Sequence, residues 1–304
     1  MSATPPADIA VRFWGVRGSI PCPGPPTVRY GGNTACLELR FAGRLIIIDA
    51  GSGLRELGDY LLAHDMRQGP LDTSLYLTHT HWDHIMGFPF FTPIYIPSTR
   101  LQVFGPVTHE DETLESIVGG QMVYRYFPVR QTELAADIRY ADLKEGVFDL
   151  GGGLVLRTKY LNHPVLCLGY RFEFRGKSVC TAYDTEPFAN LFAAADADPA
   201  LAAEGAAVAE EQNRLVEDFF AGADLVIHDA QYTEAEYQDG KQGWGHSSME
   251  HAIEAAHRTG VRTLVLFHHD PQRSDDELEQ IVANLPRPPN LEVIIAREGL
   301  TLNL

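Results

Sequence analysis

Residues 79–84 read His-Thr-His-Trp-Asp-His and follow directly on the apolar run Ser74-Leu75-Tyr76-Leu77-Thr78. An extended segment that stops at such a cluster aims several donors from one loop at one small volume. Alternate residues of a strand share a face, so His79 and His81 can reach one metal while Asp83 and His84 turn toward a second. Imidazole and carboxylate donors suit borderline divalent ions, Zn²⁺ first, with Mn²⁺ or Fe less selectively. The plainer alternative is a solvated histidine loop. Four ligand-type residues in six, after a buried-looking strand, weigh against it. The expectation is a site for two divalent metal ions.

The pattern His-x-His-x-Asp-His after a strand resembles the signature of the metallo-β-lactamase superfamily. That family needs three more ligands near the ends of later strands, and His163, Asp184 and His268 each follow a β-like run. The resemblance implies that His79, His81 and His163 hold the first metal and Asp83, His84 and His268 the second, with Asp184 bridging them. It spans nearly the whole chain, from a strand near Val11 to one near Leu302. Read without the family, His163 before Pro164 is an ordinary turn histidine and Asp184 a turn or cap carboxylate. His268 is favoured over its neighbour His269 because the family's ligand follows its strand immediately, but a one-residue slip would exchange them. His64, His109, His251 and His257 lie in helical or loop-like polar stretches and are expected to be solvated or supporting.

The fold the resemblance implies is α/β: a four-layer αβ/βα sandwich of two mixed β-sheets flanked by helices. It would be one metallo-β-lactamase-like domain over 1–304, with a helical or mobile Ala-rich insertion at 193–209 that carries no chemistry. The pattern along the chain agrees. Val11–Trp14, Ala35–Phe41, Arg44–Asp49, Leu75–Thr78 and Leu101–Phe104 read as strands, with Ala42-Gly43 as a turn and Leu54–Ala63 as a helix. Residues 109–145 read as mostly helical and loop-like. Strands are then expected at Leu154–Tyr160, Leu168–Phe174, Ser178–Ala182, Asp224–His228, Thr263–Phe267 and Leu291–Ile295. Helices are expected near Ala209–Phe220, Met249–Arg258 and Asp275–Leu285.

Charge narrows the partners. With 24 Lys+Arg against 41 Asp+Glu, the net charge of −17 leaves no electrostatic footprint for gripping a long polyanion. Long nucleic acid is therefore disfavoured as a partner, and a small phosphodiester is expected. Arg12, Arg17, Arg29 and Arg40 read as surface charges. Cys22, Cys36, Cys167 and Cys180 show no Cys-x-x-Cys spacing and read as reduced core residues of a cytoplasmic protein. No stretch has the form of a signal peptide or the length of a membrane span. A homodimer remains open.

Two segments narrow the chemistry. Asp49 ends a strand where the superfamily places a carboxylate that accepts the free N–H of a metal-bound histidine; the plain reading is a turn carboxylate. Trp244-Gly245-His246-Ser247-Ser248 resembles an element of the phosphodiesterase branch, which includes ribonuclease Z, phosphonate-pathway phosphodiesterases and class II-like cyclic-nucleotide phosphodiesterases. The resemblance implies a hydrolase in which a metal-bridging hydroxide attacks a small or cyclic phosphodiester. His246 would supply the leaving-group proton, and Asp83 would orient the hydroxide as well as bind metal. Asn33, in Tyr30-Gly31-Gly32-Asn33-Thr34, is a candidate pocket residue and equally a turn former. Competing readings are hydrolysis of a thioester, lactone or amide on the same scaffold, and a metal-holding sensor without turnover. The intact ligand set argues against the sensor, and His81 argues against a redox di-iron role.

Overall fold

Leu45-Ile46-Ile47-Ile48 shows no polar alternation because both faces of its strand are covered. Ile46 and Ile48 pack into a cluster with Phe13, Leu39, Tyr170, Phe172 and Val265. Leu45 and Ile47 pack on the other side with Leu54, Leu57 and Leu61. That one strand locates three of the four layers.

The computed structural model describes residues 7–106, 112–192 and 198–304. Among them, one sheet holds β1 (Ile9–Gly15), β2 (Cys36–Phe41), β3 (Arg44–Ile48), β4 (Asp72–Tyr76), β5 (Arg100–Pro106), β6 (Asp137–Leu143) and the late strand β14 (Thr301–Asn303). The other holds β7 (Gly146–Asp149), β8 (Leu154–Leu161), β9 (Cys167–Phe174), β10 (Lys177–Ala182), β11 (Leu225–Asp229), β12 (Thr263–Phe267) and β13 (Glu292–Ile295). Their orders are β14-β1-β2-β3-β4-β5-β6 and β13-β12-β11-β10-β9-β8-β7. Each sheet is mixed: β3 to β6 and β10 to β13 run parallel, and the remaining pairs are antiparallel.

Helices close the outer faces. α1 (Gly53–Ala63) buries its leucine stripe on the first sheet, where each such side chain contributes ~1.5–3 kcal/mol. α2 (Trp82–Ile85) is a single turn, and α3 (Leu114–Gly120) sits over β5 and β6. On the second sheet lie α4 (Pro199–Phe220), α6 (Met249–Arg258) and α7 (Asp275–Asn284), which pack Phe220, Ile253 and Leu278 against Val226 and Leu264. The short α5 (Glu234–Gln238) is fixed by a capping box between Thr233 and Glu236.

Two sequence expectations change, on residues 137–143 and on Arg17. Residues 137–143 form a parallel edge strand rather than helix or loop; Ile138 and Tyr140 alternate with charged Asp137 and Arg139, as a half-covered strand requires. The Ala-rich stretch, expected to be helical or mobile, is helix from residue 199 onward, while 193–197 lie outside the described residues. Arg17 is not a surface charge but wholly buried, donating to the carbonyls of Gly31 and Arg273 and pairing with Asp275. No described helix is long and apolar enough to cross a membrane.

Candidate metal centre

The donors lie along strand ends of both sheets. Asp49 follows β3, the 79–84 loop follows β4, His163 follows β8, Asp184 follows β10, Asp229 ends β11 and His268 follows β12. Three of these residues adopt left-handed backbone: Asp49 at φ 61°, Asp184 at 42° and His268 at 63°. Such conformations cost non-glycine residues energy and cluster at functional sites. Here each turns the chain sharply and swings its side chain toward a common centre.

Three overlapping groups result; Asp184, Asp229, His246 and His268 form one, and the other two hold the expected ligands. Of these two, His79, His81, His163 and Asp184 form the first, and Asp83, His84, Asp184 and His268 the second, with the donor atoms of each group within 4.8 Å of one another. In the first, His79 Nε2 and His163 Nε2 stand 3.0 and 3.1 Å from His81 Nδ1. In the second, His268 Nε2 lies 3.2 Å from Asp83 Oδ2 and 3.4 Å from Asp184 Oδ1. Asp184 Oδ2 is 3.3 Å from His84 Nε2 and 3.6 Å from His79 Nε2, so one carboxylate faces both groups. His269 turns away, its Nε2 2.8 Å from the Ala296 carbonyl oxygen.

The donor set suits divalent metal on physical grounds. His84 Nε2 and Asp184 Oδ1 are buried yet make no hydrogen bond, which native interiors rarely tolerate without an unseen partner. Burial, reinforced by neighbouring imidazoles, holds His79 well below its usual pKa; burial likewise lowers His81, and takes His163 to about 4. Neutral imidazoles with free lone pairs are what ligation requires. Burial would lower His84 as well, but Asp184, Asp83 and Asp49 outweigh it and raise it instead. The buried thiols of Cys36, Cys167 and Cys180 are pushed up by burial and contribute no thiolate.

Contacts behind the donors set the ring orientations. Asp49 accepts from the Thr78 N–H at 2.7 Å and hydroxyl at 2.9 Å, and stands 2.8 Å from His84 Nδ1. Gly245 O lies 2.9 Å from His163 Nδ1, and Gln231 Oε1 3.2 Å from His268 Nδ1. The Ser19 N–H donates to Asp83 Oδ2 at 2.8 Å. Two glycines are obligatory here. A Cβ on Gly18 would stand 2.5 Å from the His268 ring, and one on Gly245, whose φ is 82°, would stand 2.3 Å from His163 Nδ1. Glu186 holds the latter loop by accepting from the N–H groups of Gly243 and Gly245.

His246 stands beside the second group, its ring stacked on His268 at 5.0 Å. Its Nδ1 is 2.8 Å from Asp229 Oδ2 and 4.0 Å from Asp184 Oδ2. Burial opposes its charge, but Asp229, with Asp184 and Asp83 behind, raises its pKa to about 9. Asp229 is itself fixed by the backbone N–H groups of Thr185 and Gln231. Sequence reasoning missed Asp229, Gln231, Glu186 and Ser19. For Asp229 a signal existed, since Leu225-Val226-Ile227-His228-Asp229 is another apolar run ending in donors. Ser248 caps α6 through its side chain, while the Ser247 hydroxyl donates to Thr185 O.

Asn33 joins neither group. Its amide oxygen accepts from Ser52, and its two N–H donors reach Glu298. His64 and His257 are exposed, His251 is half-buried against His228, and His109 lies outside the described residues.

Residues 44–269 match the family model of the beta-lactamase superfamily domain. A ribonuclease Z of Mycobacterium sp. (strain KMS) is 30% identical over 262 residues, 82% of this chain and 81% of that protein. The metallo-β-lactamase fold protein YhfI of Bacillus subtilis superposes with a TM-score of 0.64 at 18% identity, covering 97% of this chain and 98% of that one. Human tRNase Z, short form, gives 0.61 at 19% identity, with 97% and 98% covered. The sandwich fold and donor set thus define a metal-dependent hydrolase. The chain belongs to the metallo-β-lactamase superfamily, in its phosphodiesterase branch.

Proposed function

We propose that the protein is a two-metal phosphodiesterase acting on small or cyclic phosphodiesters. The observation that carries this is the convergence of two donor groups on Asp184, with His246 beside them, held by Asp229 in a third group that shares Asp184 and His268. His79, His81 and His163 would hold one ion, Asp83, His84 and His268 the other, and Asp184 both. Divalent ions bound there supply Lewis acidity, lowering the pKa of water toward neutrality and offsetting charge on phosphoryl oxygens.

The chain's own residues do the rest. Asp49 keeps His84 oriented, and Ser19 fixes one oxygen of Asp83. His246, kept protonated by Asp229, donates through Nε2 to a phosphoryl oxygen or to the departing alkoxide. Asp229 then stabilises the ring's orientation while the proton is returned from solvent. The N/O-only donor set favours Zn²⁺, with Mn²⁺ or Fe as alternatives.

A net charge of −17 supports a small substrate over a long polyanion. RNA cleavage is the second reading, favoured by the 30% identity to a ribonuclease Z. Metal analysis and turnover of metal-loaded protein on bis-p-nitrophenyl phosphate, a cyclic nucleotide, a precursor tRNA and a thioester decide among these. Turnover of the first two with two metals per chain is expected. Turnover of the thioester alone would overturn the phosphodiesterase reading, and a preference for precursor tRNA would overturn the small-substrate one.

A further inference from the structure

Two residues beyond Asp184, a single residue ties together two other loops of the site. Glu186 Oε2 accepts from the Gly243 N–H at 2.8 Å and Oε1 from the Gly245 N–H at 3.0 Å, and the Tyr237 hydroxyl donates to Oε2 at 3.1 Å. The Glu186 backbone N–H donates to Asn162 O at 3.0 Å. Glu186 thus holds the residue before His163 by its backbone and the residue before His246 by its side chain. The two loops also meet each other, where Gly245 O stands 2.9 Å from His163 Nδ1.

The 239–245 loop is poorly suited to holding this shape by itself. It carries Gly240, Gly243 and Gly245 at φ 90°, 83° and 82°. A Cβ on Gly240 or Gly243 would meet nothing within 4 Å, so backbone angle and not space requires glycine at those two positions. Glycines also give up the most conformational entropy when they are fixed. Trp244 is 58% exposed, so its ring adds little burial to hold the loop. The charged acceptor for two of the loop's N–H groups comes instead from the strand end that carries Asp184. Hydrogen bonds to an ionised acceptor are roughly twice as strong as neutral ones. Pro187 pushes Glu186 toward extended backbone, which suits a residue bonded on both sides.

Building on the two-metal phosphodiesterase reading, we propose that Glu186 is a positioning residue, whose carboxylate sets the 243–246 loop so that Gly245 O orients His163 and His246 meets Asp229. Its side-chain bonds go to Gly243, Gly245 and Tyr237, none of which is a metal donor. A change at Glu186 therefore reaches the first donor group through His163, and the acid through His246. Asp83, His84 and His268 are oriented separately, by Ser19, Asp49 and Gln231. One carboxylate outside both ligand sets thereby keeps one metal position and the proton donor in a fixed relation.

The test reads zinc affinity and turnover in zinc-loaded wild type, Glu186→Ala, Glu186→Asp and Glu186→Gln, with folding checked by circular dichroism. Titration with a chromogenic chelator should release one zinc ion of Glu186→Ala at about 10–100-fold lower chelator concentration, the usual cost of losing an orienting contact, and leave the other unchanged. Its kcat on a cyclic nucleotide should fall about 10²-fold, the cost of a group displaced by ~1 Å, with KM little changed. The fall should be smaller on bis-p-nitrophenyl phosphate, whose leaving group departs without a proton. Glu186→Asp keeps the charge but withdraws it by one methylene from the two N–H groups, and should behave like the alanine variant. Glu186→Gln keeps one acceptor and should fall between. A merely structural role would weaken both ions and slow both substrates alike, and that result overturns the proposal. So does wild-type behaviour of Glu186→Ala, or of Glu186→Asp, which would leave charge alone as the cause. Two zinc ions on wild type without hydrolysis of either phosphodiester refute the reaction and leave zinc release to decide the role of Glu186; fewer than two overturn both.

Discussion

In the first half of the molecule, His79, His81, Asp83 and His84 come from one loop between β4 and the end of α2, tied to the neighbouring strand end by the Ala50 N–H on His84 O and by Asp49 on the Thr78 N–H. In the second half, His163, Asp184 and His268 come from three strand ends that meet only when β8, β10 and β12 are assembled in one sheet. Asp229 and His246 are likewise brought together by tertiary packing alone. The first half therefore supplies four donors from six consecutive residues, and the second completes the set from strand ends far apart in sequence. Metal binding at such a site is linked to folding of the distributed half.

The sharpest break of this comparison is Asp184→Ala. Its carboxylate faces both donor groups, so its removal should abolish turnover and leave less than the full metal content by elemental analysis. Two metals and wild-type activity in this variant would show that the first-half loop suffices without the second.

His246→Ala should retain both metals, since the residue lies outside the proposed ligand trios, and lose about 10²–10⁴-fold in turnover, the usual contribution of a positioned acid. The loss should be smaller for a p-nitrophenolate leaving group, which departs without a proton, than for a ribose hydroxyl. Equal losses on both would reduce His246 to a phosphate-positioning group. Asp49→Ala acts on the local half. It leaves the buried His84 Nδ1 without its carboxylate and should weaken metal affinity by about 10–100-fold. An Asp49→Ala defect as large as that of Asp184→Ala would erase the distinction between a carboxylate that faces both groups and one that orients a ring.

The same contrast explains what was legible in the chain. The 79–84 loop could be read directly because its donors are neighbours in sequence. His163, Asp184 and His268 could be placed only through strand-end position and family resemblance. The choice of His268 over His269 followed from the strand's end, and the backbone turn at φ 63° is its physical cause. Asp229 escaped because its partner is 17 residues away and its role depends on how β11 meets the 243–246 loop. Arg17 escaped because nothing local announces that a guanidinium will be buried among carbonyls from residues 31, 270 and 273. β6 hid behind its charges: an edge strand with one face covered carries half the apolar signal of β3.

The smallest effect on catalysis, none at neutral pH, is expected from a histidine pair between β11 and α6. His251 on α6 faces His228 on β11, with Glu217 of α4, Arg258 of α6 and Glu234 of α5 around it. Burial first, then the His228 ring, lowers the pKa of His251 to about 4; burial also lowers His228. An unfolded histidine titrates near ~6.5. Between that value and about 4, the unfolded chain binds a proton that native His251 refuses, so stability is full above ~6.5 and falls as pH drops through the window. The loss is on the order of 1–3 kcal/mol. Denaturant unfolding of wild type and His251→Gln at equal metal loading, stepped from pH 7.5 to 4.5, should give a shallower decline in the variant. β11 carries Asp229 and leads to Gln231, so the same acid step should open the second half first. Hydrogen exchange should then rise along β11 and α6 before it rises along β3 and α1. Identical pH slopes in the two proteins would remove His251 as the cause, and simultaneous opening of both sheets would show that the two halves fail as one unit.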